Sequence, residues 1–307
     1  MHGKSKLTPF ILLIALSLIW GTSFILIKQG LKIFSPDELG ALRVSAASLF
    51  LLPVALVRMK ELKQIHFGKL FLSGLMGTFF PAFLFAFAQT QLSSSVSGIL
   101  NTLSPVWVLI MGALFFHQGF RAIAIVGILV SFGGTVLLTV SRSGSSIGGF
   151  NAYALLIVLA CGLYGTNLNW VKFKIADLGS LTITSVALSL IGPLGLTYLF
   201  GFTEFSRKMA DTPGAWRAFG FVVLLAFMST AVATLLFNKL LKISTPLFSS
   251  SVTYLMPIVS VLLGVLDNEH LFLGHFIGMA CILAGVYLAN RKSADIKLTD
   301  EVNPVEE

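Results

Sequence analysis

Apolar residues in this chain come in long runs rather than in stripes. Ten runs of about twenty residues are separated mostly by short polar connections: Pro9–Lys28, Asp37–Val57, Gly68–Ala88, Val96–Phe116, Arg121–Val140, Ala152–Val171, Leu181–Phe200, Ala218–Leu240, Pro246–Leu266 and Leu273–Ala289. A helix of about 20 apolar residues crosses the roughly 30 Å hydrocarbon core of a bilayer. A membrane barrel would instead alternate apolar and polar positions over strands of about ten residues. The longest connection, residues 201–217, is too short for a soluble domain. The first run follows Lys4 and Lys6, but it is too long for the apolar part of a cleaved signal and no A-x-A site follows it. It reads as the first of ten spanning helices in an all-α integral membrane protein.

The pattern also repeats. IWGTSFILIK, Ile19–Lys28, returns as LYGTNLNWVK, Leu163–Lys172, 144 positions later. Shifted by 152, Gly74–Leu114 falls on Ala226–Leu266 without a gap. Met76 then meets Met228, Thr78 meets Thr230, Phe85 meets Phe237, Ser97 meets Ser249, Pro105 meets Pro257 and Gly112 meets Gly264. Pro53 matches Pro193, and Gly127 and Gly134 match Gly278 and Gly285. Helices one to five therefore repeat as helices six to ten. Five is odd, so the second half enters the membrane from the opposite side. Two inverted five-helix repeats are a mark of secondary transporters, because exchanging the conformations of the halves converts one open state into the other. The expected division is 1–146 for the first repeat, 147–292 for the second, and 293–307 for a disordered cytoplasmic tail.

Ten helices as five plus five, WGTSFILIK in helix one, SPDELGALR at the start of helix two, and a Pro-centred helix four together resemble the EamA family of the drug/metabolite transporter superfamily. The resemblance covers nearly the whole chain. It implies export of small metabolites, such as amino acids or drugs, across a bacterial inner membrane. The family often carries a Glu at the end of helices four and nine. Glu269 matches after helix nine, and His117 stands at the corresponding place after helix four.

Composition agrees with lipid as the solvent. Hydrophobic residues make up 56% and charged residues 11%, with a mean hydropathy of +0.91; soluble domains carry about 25% charge. The net charge of +8 is scattered over loops, which excludes a nucleic-acid partner and leaves the bilayer and a small-molecule substrate. With both termini in the cytoplasm, fourteen Lys and Arg flank the inner helix ends and six the outer ones, as the positive-inside rule requires. Cys161 and Cys281 lie within apolar runs without metal-ligand spacing, so no metal or cofactor is expected. HExxH, GxSxG and acidic clusters at membrane depth are absent, against an intramembrane enzyme. No TVGYG-like filter or charge ring points to a channel. Gly274 and Gly278 form a GxxxG pattern that serves either internal packing or a homodimer; the reading here is internal packing in a monomer.

Polar side chains at lipid depth must face protein or water. Ser94, Ser97, Asn101 and Ser104 form one stripe on helix four, Ser249, Thr253 and Ser260 its partner on helix nine, and Thr230, Thr234 and Asn238 a third on helix eight. Helices one, three, four, six, eight and nine are thus expected around a central cavity, with the Gly-rich helices five and ten outside it. The candidate substrate-binding residues are Trp20, Thr22, Arg43, Thr78, Phe79, Asn101, Tyr164, Asn167, Thr230 and Thr253. Phe79, Phe83, Phe87, Trp107 and Trp170 are expected to give the cavity an aromatic wall, and Lys28 and Lys172 to act as interfacial anchors. Arg43 lies about six residues, or roughly 9 Å, into helix two. The repeat places Ile183 opposite it, so Arg43 breaks the symmetry and is expected to attract a carboxylate near the outer mouth. No Asp or Glu lies deep in any predicted helix. The expectation is alternating-access export of amino acids or related amphipathic compounds by rocking halves, without proton coupling through a buried carboxylate. Export of drugs or sugar derivatives is the alternative.

Overall fold

A computed structural model describes residues 7–60, 62–119, 122–140, 151–244, 248–249 and 252–290. The expected tail, 293–307, and the basic residues Lys4, Lys6, Arg121, Arg142, Arg291, Lys292 and Lys297 lie outside the described residues. The spanning helices are α1 (Thr8–Gly30), α2 (Pro36–Met59), α3 (Gln64–Ala88), α4 (Ser94–Phe116), α5 (Ala122–Val140), α6 (Ala154–Lys174), α7 (Ser180–Gly201), α8 (Ala215–Ile243), α9 (Val252–Leu266) and α10 (Leu273–Asn290). A short helix, Phe205–Asp211, lies between α7 and α8. Seven helices are long and apolar enough to cross a membrane, and three are shorter apolar helices: those of the α5, α9 and α10 regions. Large apolar side chains such as Ile14, Leu129, Leu155, Ile258 and Leu262 are exposed on the rim, where lipid tails replace water as their surroundings.

Local chemistry sets the helix ends. The SPDE stretch starts α2 with a capping box: Ser35 N–H donates to Glu38 Oε2 at 2.8 Å, and Pro36 occupies the first turn, where no N–H is needed. Ser93 caps α4 by accepting from Val96 N–H at 3.2 Å.

The packing obeys the sequence repeat. α1 packs on α9 as α6 packs on α4; α1 packs on α8 as α6 packs on α3; α2 packs on α8 as α7 packs on α3. Three pairs, α2–α7, α4–α9 and α5–α10, join a helix to its own repeat-mate. Such self-mated pairs arise when a two-fold axis relates the halves, so the fold is ten spanning helices in two inverted five-helix repeats.

Small residues bring the backbones together. A methyl on Gly134 would stand 2.8 Å from Gly278 O, and one on Gly278 would stand 2.9 Å from Gly134 O. Gly127 and Gly285 make the same reciprocal contact about two turns along. Gly278 is thus used inside the chain, between α5 and α10. Replacing Gly134 with Val should destabilise the detergent-purified protein by about 1–3 kcal/mol, as is typical of overpacking, read as a lower thermal midpoint. Gly133→Val is the control, since nothing lies within 4 Å of an added carbon there; equal effects at the two positions would refute the account.

Candidate functional site

The halves enclose a cavity of about 130 Å³ on the pseudo-two-fold axis. Eight helices contribute to it, α1 to α4 and α6 to α9. This corrects the expectation of six: α2 reaches it with Arg43, and α7 with Ile183 and Thr184. Among the described residues, none of α5 or α10 lines it.

Much of the lining comes in repeat-mated pairs. Trp20 packs tilted against Phe237 with ring centroids 5.0 Å apart, and Tyr164 stacks near Phe85 at 6.2 Å. Trp20 is the mate of Tyr164, and Phe85 of Phe237. Ser23 and Asn167, Thr78 and Thr230, and Asn101 and Thr253 are further mated positions on the lining. The opening sequence echo has its structural reason here. Gly21 lets α1 meet α9, with Val259 Cβ 2.5 Å from where its own Cβ would be; Gly165 lets α6 meet the α4 backbone at Trp107, also at 2.5 Å.

Non-α segments open the helices at the cavity. α3 carries a π-helical segment, Leu75–Phe79, and α8 carries another, Leu225–Val232, at overlapping repeat positions. They hold Thr78 and Thr230. Such segments leave carbonyls without their usual partners and recur at functional sites. One is used by Trp20 Nε1, which donates to Ser229 O at 2.8 Å. In α4 a 3₁₀ turn, Asn101–Leu103, precedes Pro105, whose missing N–H frees Asn101 O. Ser104 Oγ donates to that carbonyl at 2.8 Å. The freed carbonyl at Pro105 was expected from its place within a helix, whereas the π-helical segments were not; Pro81 was the available signal in α3, and α8 offers none.

Eight of the ten candidate residues meet at the cavity: Trp20, Arg43, Thr78, Asn101, Tyr164, Asn167, Thr230 and Thr253. Thr22 and Phe79 do not. Thr22 Oγ1 donates back to Leu18 O at 2.8 Å, and Phe79 packs against Phe80 and Phe83. The expected aromatic wall is also corrected. Phe83, Phe87, Trp107 and Trp170 lie elsewhere, Trp107 against Gly162 and Gly165, and Trp170 donating to Lys69 O at 3.1 Å. The lining rings are Trp20, Phe24, Phe85, Tyr164 and Phe237. Ser73, Thr184 and Ser229 line the cavity and were missed, being small polar residues with no unusual spacing. Arg43 does not sit at a mouth. It is 8% exposed and its Nε donates to Thr230 Oγ1 at 2.8 Å, reaching across to the second repeat.

One face of the bundle is clamped. Glu269, after α9, accepts at Oε1 from Ser94 N–H at 2.9 Å and Ser94 Oγ at 2.6 Å, and at Oε2 from Ser95 N–H at 3.0 Å and Ser95 Oγ at 2.6 Å. Lys28 Nζ, at the end of α1, bridges Glu269 at 2.9 Å and Asp267 at 2.7 Å. Lys28 is therefore an ion-pair partner, not a free interfacial anchor. Burial alone would raise the Glu269 pKa, but the bonds from Ser94 and Ser95 and the pairing with Lys28 outweigh it and hold the carboxyl at about 2. The α4 N-terminus adds its own favourable field. On the other face the structural mate of Glu269 is Gln118, not His117. His117 and Asn268 both take positive φ, 53° and 60°. The residue after each donates its N–H to the matched Gly112 or Gly264. Gln118 is neutral and donates to Asn169 Oδ1 at 2.8 Å.

The EamA-like transporter family matches residues 7–140 and 151–291, one copy per repeat. The chain belongs to the EamA-like transporter family. An uncharacterized transporter of Archaeoglobus fulgidus is 27% identical to this EamA protein, covering 89% of this chain and 95% of the relative. The uncharacterized inner membrane transporter YedA of Escherichia coli K12 is 24% identical over 94% of this chain and 92% of its own. A solved crystal structure, 18% identical, shares the fold with a TM-score of 0.62 over 93% of this EamA chain and 97% of that one.

Glu269→Ala should destabilise the EamA protein far more than Asp267→Ala. The first strips a nearly buried charge cluster, which costs about 3–5 kcal/mol; the second removes a partly exposed partner, worth under about 1 kcal/mol. The Glu269 carboxyl has a folded-state pKa below its ordinary value, so its contribution is complete above about pH 4.5 and is lost as pH falls through about 2. Thermal midpoints of the two variants between pH 3 and 8 check both points; equal losses would refute the clamp.

Proposed function

We propose that this chain is a secondary carrier that moves small amphipathic metabolites, amino acids or related compounds, in the export direction across the inner membrane by alternating access. The observation that carries this reading is the cavity on the pseudo-two-fold axis, lined by mated residues from both repeats. A site so placed stays fixed while the halves rock around it. With both termini in the cytoplasm, as the distribution of basic residues favours, the Glu269 clamp is the seal of the outer face. Among the described residues no carboxylate lines the cavity, which favours uniport or exchange over proton coupling. YedA, a relative, is named as an inner membrane transporter, in keeping with the assigned membrane.

Proteoliposomes holding the full-length protein and loaded with one unlabelled solute should take up the labelled solute with a saturable overshoot, with no ion gradient imposed. Equilibration without overshoot would make it a channel. Uphill accumulation driven by a pH gradient alone would overturn the uncoupled mechanism.

A further inference from the structure

The guanidinium of Arg43 is buried without a counter-ion. Its Nε is bonded to Thr230, and among the described residues neither Nη has a hydrogen-bond or ion-pair partner. The acids at the start of its own helix are occupied: Glu38 accepts from Lys208 Nζ at 2.7 Å and from Ser35 N–H, and Asp37 accepts from Tyr198 OH at 3.3 Å. Asp267 and Glu269 are held by Lys28. A buried charge is costly unless it is paired, and the cavity is where a partner has room to enter.

We propose that Arg43 anchors a single carboxylate of the transported solute, that the rest of the solute is an apolar body of about one ring, and that recognition requires no ammonium group. This rests on the carrier reading and names its substrate class. Arg43 is the one charged side chain on the described lining, so it matches a monoanion; a phosphate dianion would face half the charge it needs. The planar fork of Arg suits a carboxylate, which accepts two parallel N–H bonds. An ammonium group would find no acid on that lining. Ile183 stands at the repeat-mate of Arg43 and also lines the cavity, so the charged end and the apolar end face one another across the axis. The two aromatic pairs line the same cavity. A cavity of about 130 Å³ is of the order of the ~150 Å³ that holds one benzene ring.

The test is ligand-induced stabilisation of the detergent-purified full chain, which reads binding without transport. The probes are 3-phenylpropionate, its amide 3-phenylpropionamide, phenylalanine and phenethylamine. The acid should raise the thermal midpoint saturably, the amide and the amine should not, and phenylalanine should gain nothing over the acid. Arg43→Gln should weaken half-saturation by the acid about 10- to 100-fold, the range for a hydrogen bond to a charged group, with Arg43→Lys between. Equal shifts from acid and amide, a response to phenylalanine but not to the acid, silence across all four, or an unchanged response in Arg43→Gln would each overturn the proposal. The acid–amide comparison uses the unaltered protein, so a variant that fails to fold does not shield it. Acid-specific stabilisation without counterflow would leave the anchor standing and sink the carrier; counterflow of the amide as fast as the acid would do the reverse.

Discussion

Everything in this molecule depends on helices meeting backbone to backbone at glycine. Between apolar helices in a bilayer there is no hydrophobic drive to associate, because lipid tails are as apolar as leucine. What remains is close contact, and contact is closest where a side chain is missing. Gly21 and Gly165 admit α9 and α4, and Gly127, Gly134, Gly278 and Gly285 join α5 to α10. These positions are mated by the repeat, so the same constraint is met twice, once in each orientation. The result is a bundle whose axis of symmetry is also its cavity.

A cavity on that axis creates a second demand. Helices that line an empty space lose neighbours, and their backbone polar groups still need partners. The protein meets this by breaking helices where the cavity lies and assigning side chains to the freed groups. Trp20 takes Ser229 O from the π-helical part of α8, and Ser104 takes Asn101 O beside Pro105. Residues that look like ligand contacts in the sequence are thus partly committed to the scaffold, which leaves Arg43 conspicuous for its unused donors.

The ten helices, the repeat and its inversion were legible in the sequence because lipid imposes a coarse and uniform signal on each run. Most of the lining was legible too, since polar side chains at membrane depth have few other places to go. The failures share a cause. Phe79, Phe83 and Trp107 were placed in the cavity because aromatics suit ligands, but in a bundle they suit helix–helix gaps equally well, and hydropathy does not distinguish the two. α7 was left out because Thr184 and Ile183 carry no unusual pattern, and α2 because its Arg43 was placed near the outer mouth rather than in the cavity. His117 was matched to Glu269 by counting residues, whereas the turn geometry pairs Glu269 with Gln118. The π-helical segment of α8 has no proline and leaves no mark in the sequence.

The seals of the two faces are built from unlike materials. On one, a carboxylate collects hydrogen bonds from a helix N-terminus and a lysine; on the other, its mate is a neutral amide bonded to an asparagine. A carrier with identical halves would spend equal time open to either side. On the carrier reading, the unlike bonds to Glu269 and to Gln118 weight the two open conformers unequally. Apparent affinity falls with the fraction of protein that is competent to bind. Half-saturation should therefore differ between the two sides, while a transporter without an energy source still brings both compartments to the same concentration. The inequality makes such a carrier a kinetic valve: it responds early to solute rising on one side and late to solute rising on the other.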